Sequence, residues 1–85
     1  MSAYAVELTP EAENNLIEIW LDATDRVEVT ESETAIHGLL RSDPIGQGVP
    51  VAEGLYKIVR GPLVAFYSVD DAQQRVEIDR IWRPS

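Results

Sequence analysis

The spacing of apolar residues changes near Pro44, and that change limits the folds open to the chain. Between Thr9 and Pro44, apolar residues recur at the helical period of about 3.6; after it, they recur mostly at the strand period of two. An opening strand precedes the helices, because Tyr4, Val6 and Leu8 alternate with polar or small residues. Thr9 is a good N-cap and Pro10 suits the first helical position, where a missing N–H costs nothing. Ala12, Leu16, Ile19, Trp20 and Ala23 then form one stripe, which predicts a helix that packs on that side. A second helix is expected over about 26–42, with Ile36, Leu39 and Leu40 on its apolar face. Asp25 with Glu28 is a capping pair for its start, and Thr30 with Glu33 is a rival pair one turn later.

Two glycines and two prolines in residues 43–50 read as a loop between the halves. Beyond it, Leu55–Arg60, Leu63–Val69 and Arg75–Trp82 read as three strands. They are separated by Gly61-Pro62 and by the polar stretch 70–74. The run from Leu63 to Val69 is apolar enough for a central strand. The expected order is β-α-α-β-β-β, an α+β domain with the helix pair on one face of a mainly antiparallel sheet. At 85 residues the chain has room for one domain, 1–85, which buries only about 60 to 65% of its unfolded surface. With no cysteine it has no disulfide to add to that core, no thiolate metal site and no cysteine nucleophile.

Charge divides at the same place. Residues 1–44 hold ten acids and two bases, and residues 45–85 hold five of each, so the whole net charge of -8 lies in the helical half. That balance argues against a general affinity for nucleic acid or anionic lipid, both of which call for a basic surface. No apolar run approaches a membrane span and no basic leader is visible, so a soluble cytoplasmic protein is expected.

Taken in order, four stretches resemble the RelE/ParE family, the toxins of bacterial toxin–antitoxin and plasmid-stabilisation systems. They are Val6 to Glu13, Leu40 to Pro44, the hairpin Gly54 to Asp70, and Val76 to Arg83. The resemblance implies a domain that binds a cognate antitoxin and, when freed, acts on translation or on DNA gyrase. Ribonuclease members of the family use basic residues on the sheet, with a tyrosine, histidine or acid, to stabilise charge at the scissile phosphate and to move protons. Lys57 keeps one of those basic positions. Val59 and Val64 stand where the resemblance would put two others, and Arg83-Pro84 stands in place of a His-Arg ending.

Lys57, Tyr67, Arg80 and Arg83 are therefore the candidate catalytic residues. A plainer role is open to each. The cations can be solvated strand residues paired with Glu77 or Asp79, each pair worth about 0 to 1 kcal/mol, and Tyr56 and Tyr67 can be core or edge aromatics. His37, the one histidine, has no ligand-like spacing around it, and no metal or cofactor is expected. Asp70 and Asp71 fit a turn better than a carboxylate pair, and Gly46-Gln47-Gly48 lacks the Lys and helix of a phosphate loop. Trp82 divides evenly between core packing and an exposed partner patch.

The leading expectation is a toxin-like component that binds an antitoxin through a basic or amphipathic segment and lacks strong ribonuclease activity. One alternative is a ribosome-dependent messenger RNA endoribonuclease using the four candidate residues. Another is a non-toxic interaction domain that forms a homodimer through the Trp82 region.

Overall fold

The computed structural model describes residues 3–84. The chain runs β1 (Ala5–Leu8), α1 (Pro10–Asp22), α2 (Arg26–Ser42), α3 (Pro44–Gln47), β2 (Val49–Ala52), β3 (Leu55–Arg60), β4 (Leu63–Asp70) and β5 (Arg75–Trp82). The strands form one sheet in the order β1-β5-β4-β3-β2, antiparallel except where β1 runs parallel to β5. The α+β class, the mainly antiparallel sheet and the expected elements are present, with Leu63–Asp70 (β4) at the centre as its apolar run predicted.

One difference lies in the segment expected to be a loop. Asp43 accepts a hydrogen bond from the Gly46 N–H at 3.0 Å and caps the one-turn helix α3, with Pro44 at its first position. Val49–Ala52 then pairs with β3 as an exposed edge strand, irregular at Pro50. The glycines and prolines here punctuate two short elements. Pro50 is tolerated because an edge strand needs ladder bonds on one side only.

Pleating sorts the two faces of the sheet. Leu63, Ala65 and Tyr67 of β4, with Ile58 of β3 and Val76, Ile78 and Ile81 of β5, are buried against Ala12 of α1 and Val29, Ile36 and Leu40 of α2. Tyr67 is fully buried. Its hydroxyl donates to the Pro44 carbonyl at 2.5 Å, and its ring stacks on Tyr56 with centroids 5.6 Å apart. The sheet thus carries α3 on the hydroxyl of its central strand. Gly48 permits this: a Cβ there would lie 1.7 Å from the Tyr67 hydroxyl.

β1 pairs with β5 only as far as Leu8 with Ile78, so the last part of β5 lacks a strand on that side. Helix α1 takes its place. Thr9 accepts from the Ala12 N–H at 3.1 Å as the helix N-cap, while its hydroxyl donates to the Asp79 carbonyl at 3.1 Å. Six residues on, the Asn15 side-chain oxygen accepts from the Ile81 N–H at 3.1 Å. Each bond satisfies a β5 backbone group that would otherwise have no strand partner. Between β4 and β5 the register slips, with Phe66 opposite Arg80 and Tyr67 opposite Ile78, so Asp79 is the extra residue of a bulge.

Two glycine substitutions are expected to act with opposite sign. Gly48→Ala should lower stability by about 1 to 3 kcal/mol, because the new methyl overlaps Tyr67. Gly38→Ala, inside α2 with open space around it, should raise stability by about 0.5 to 1 kcal/mol. Urea unfolding of both variants measures this; a neutral Gly48→Ala would mean that the Tyr67 contact is not a tight one.

Candidate functional site

The helices cover one face of the sheet, and the other face carries what a ligand would meet. Across it, Lys57 of β3 is paired with Phe66 of β4, and Phe66 with Arg80 of β5. Directly paired residues project to the same side, so two cations flank one aromatic ring in a single row. Val49 of β2 extends the row toward the edge. The adjoining row is Val59, Val64 and Trp82. Val59 and Trp82 are about half exposed, whereas Val64 is covered between them. Two of the positions where the sequence resemblance looked for cations are therefore part of an apolar strip, with Trp82 at its end.

The four candidate residues do not converge. Lys57 and Arg80 share the open face, and neither makes an ion pair with Glu77 or Asp79 among the described residues. Tyr67 points the opposite way. It lies in the core beneath α3, and burial pushes its hydroxyl up to about 12, with Tyr56 and Asp43 adding to the effect. A phenol whose proton is given to a backbone carbonyl on the far side of the sheet cannot reach a phosphate held by Lys57 and Arg80. The structure places Tyr67 in the core, as the simpler reading of a strand tyrosine had it.

Arg83 lies one residue past β5 and turns back toward the helices. Its guanidinium donates two parallel bonds to the Asp25 carboxylate, both 2.9 Å. Asp25 was expected to cap α2 together with Glu28. It stands at the N-cap but makes no side-chain cap bond, because Arg83 occupies its carboxylate. The Arg83 hydrogen bond holds Asp25 below the ordinary carboxylate value of 3.8, and Asp25 in turn raises Arg83. This fork-to-fork pair fixes the chain end to the α1–α2 turn. Arg83 thus pairs, but with a helix-start carboxylate that strand spacing could not identify.

Asp79 shows the reverse effect. In the bulge its carboxyl is raised above 3.8, first by burial and then by a hydrogen bond and like charge from Glu77. His37 sits on α2 with its Nε2 3.4 Å from the Glu33 carboxylate, far along the chain from the strand row. Sequence reasoning missed Thr9 and Asn15 as partners of β5. The signal available was a polar residue at one-turn spacing inside an otherwise apolar stripe.

Acid titration separates Asp25 from Asp79. A depressed Asp25 adds stability that is complete above the unfolded value near 3.8 and is lost as pH falls through the lower folded value. Asp25→Asn should therefore be less stable than the parent at neutral pH, with the gap closing in acid. A raised Asp79 opposes folding while ionised, so Asp79→Asn should be more stable at neutral pH, and that gap should also close as protonation restores the parent. Urea midpoints across the acid range check both; a pH-independent gap for either variant would remove the electrostatic cause assigned to it.

Neither a protein-family model nor a curated protein matches this chain. Solved structures do. The RelBE2 toxin–antitoxin complex from Mycobacterium tuberculosis contains a chain with TM-score 0.81 at 24% identity, the match covering 99% of this chain and 94% of that one. The archaeal RelE–RelB complex from Pyrococcus horikoshii gives 0.71 at 14% identity, over 98% and 96%. The chromosomal ParDE system of P. aeruginosa gives 0.68 at 17%, over 96% and 97%. With β1-α1-α2 leading into an antiparallel sheet and the helices on one side, the chain has the fold of the RelE and ParE toxins.

Proposed function

We propose that this protein is a toxin-like component of a toxin–antitoxin pair, possessing an antitoxin-binding surface and lacking strong ribonuclease activity. The observation that carries the reading is the dispersal of the candidate site. On the open face Lys57 and Arg80 stand with Phe66, while Tyr67 is in the core and Arg83 is tied to Asp25. Phosphodiester cleavage needs a proton donor and a proton acceptor beside the stabilising cations, and in the row Lys57 alone could move a proton, leaving the second partner unsupplied. The partner half of the proposal draws on the near full-length likeness to chains solved as toxin–antitoxin complexes. A role in plasmid stabilisation belongs to the same proposal.

A second reading keeps a specific observation in its favour. Two cations that make no ion pair among the described residues stand around an open-face aromatic and can hold a phosphate and stack a base, so a ribosome-dependent endoribonuclease that draws its second proton carrier from the ribosome would use Lys57 and Arg80. DNA gyrase is the other target to be tested.

Induced expression with and without the product of the adjacent reading frame tests the main reading. Growth arrest is expected from the chain alone, with rescue and a co-purifying complex when both are made. A neighbour that neither binds nor rescues would sink it. Under the second reading, Lys57→Ala and Arg80→Ala should each relieve arrest by about tenfold or more in survivors while leaving thermal unfolding unchanged; under the main reading neither should.

A further inference from the structure

The open face of the sheet extends beyond its cationic row. Ser68 of β4 is paired with Glu77 of β5, and Glu77 with Glu7 of β1; the next outward row joins Asp70, Arg75 and Ala5. Both rows project to the same side as Lys57, Phe66 and Arg80, because the intervening residues Tyr67, Ile78, Val69 and Val76 belong to the core side. Along β5 the open side therefore presents Trp82, Arg80, Glu77 and Arg75 in turn. Arg75 is taken by Glu7 at 2.5 Å, and Asp70 accepts from the Gln73 N–H at 3.2 Å within its own turn. Arg80 and Glu77 make no ion pair among the described residues. Beside Glu77 stands Asp79 of the bulge, close enough to share a hydrogen bond with it and likewise without a cation. One face thus holds an uncompensated cation and an uncompensated pair of carboxylates.

Charge on the rest of the molecule decides which surface can meet a copy of itself. Seven carboxylates of α1 and α2 stand against Arg26 and Arg41, so two copies joined by their helices would repel. Ile17, Trp20 and Leu21 are exposed on that side because α1 packs chiefly on β5 and barely meets α2. The stripe expected of α1 included Trp20 as a packed residue, and here the structure differs. On the open sheet face Lys57, Arg75 and Arg80 stand against Glu7, Asp70, Glu77 and Asp79, which is close to neutral. Two copies meeting there keep their acidic helices on the outer sides. The face also has apolar area to cover, since Val59 and Trp82 are 49% and 52% exposed.

We infer that the open sheet face is a self-complementary interface that pairs two copies of this chain face to face. A two-fold axis running along the rows, between the Arg80 row and the Glu77 row, lays β5 antiparallel on the β5 of the second copy. Each Arg80 then meets Glu77 and Asp79 of the second copy, and each Trp82 meets the second copy's Arg75. A guanidinium can keep its edge in the Glu7 ion pair and still offer its plane to an indole. The rotation makes every contact twice, as an isologous interface requires. Five strands about 4.8 Å apart, the longest of eight residues, give a face of about 24 by 26 Å. That flat area lies below the roughly 800 Å² per partner of a standard interface, so the dimer should be weak and dissociate on dilution.

Sedimentation velocity on the parent chain from about 1 to 500 µM should show a monomer–dimer equilibrium that weakens in high salt. Arg80→Glu and Glu77→Arg, both at exposed positions, should each weaken the dimer about tenfold or more. An equimolar mixture of the two variants should restore it, because each copy then meets opposite charge at both contacts. Trp82→Asp should also weaken it, whereas Ile17→Asp on the helices should not. Circular dichroism verifies that the variants fold.

A parent that stays monomeric at about 500 µM overturns the inference. So do single variants that dimerise like the parent, or a mixture no more dimeric than its components. A dimer dissolved by Ile17→Asp and not by Arg80→Glu overturns it in favour of the helix face. A monomeric parent that binds a single-stranded RNA oligonucleotide through Arg80 overturns it in favour of nucleic acid. The inference does not rest on the antitoxin reading: co-purification and rescue by the adjacent-frame product test that reading, so either can fail alone.

Discussion

Strand β4 runs through the middle of the sheet, and burial of its helix-facing row, Leu63, Ala65 and Tyr67, is the contact on which the other elements depend. A chain of this size with no disulfide has one core to build, and that core forms on one side of one sheet. Tyr67 does two jobs in it. Its ring fills volume against Tyr56, and its hydroxyl reaches the Pro44 carbonyl, so that α3 and the start of β2 are held by the same side chain. The close approach leaves no room for a side chain at Gly48.

The same pleat that buries Tyr67 decides what the open face can do. Every second residue faces outward, which gives one row with Lys57, Phe66 and Arg80 and a second with Val59, Val64 and Trp82. A phosphate could be held at the first row and an apolar surface could be covered at the second, but Lys57 is the first row's one side chain able to move a proton. Arg83, which would have strengthened the positive field, is committed to Asp25 across the end of the molecule. Packing therefore leaves Lys57 and Arg80 as the two cations of the open row.

Much of this was legible from spacing. The period-two alternation of Val76 and Ile78, the apolar run from Leu63 and the Thr9-Pro10 helix start all correspond to elements found in the structure. What was not legible depended on three-dimensional approach. The bond from Arg83 to Asp25 joins residues 58 positions apart, so capping rules that look three residues ahead assigned Asp25 elsewhere. Strand periodicity alone left open which face Tyr67 takes, and Lys57 and Tyr67 fell into one candidate set although they lie on opposite sides of β3 and β4. The edge strand β2 was hidden because Pro50 and its flanking glycines carry the composition of a loop. Trp20 followed the helical stripe correctly in angle, yet α2 stands too far from it to cover the indole.

On the proposed reading, the open sheet face has no strong cleaving activity toward messenger RNA, alone or on the ribosome. The most direct measurement adds the purified protein to a reconstituted translation reaction and follows the ends of the ribosome-bound message. Full-length message at protein equimolar with ribosomes, unchanged when Lys57 or Arg80 is replaced by alanine, is the expected result. New message ends that appear with the parent protein and disappear with Lys57→Ala or Arg80→Ala would contradict it.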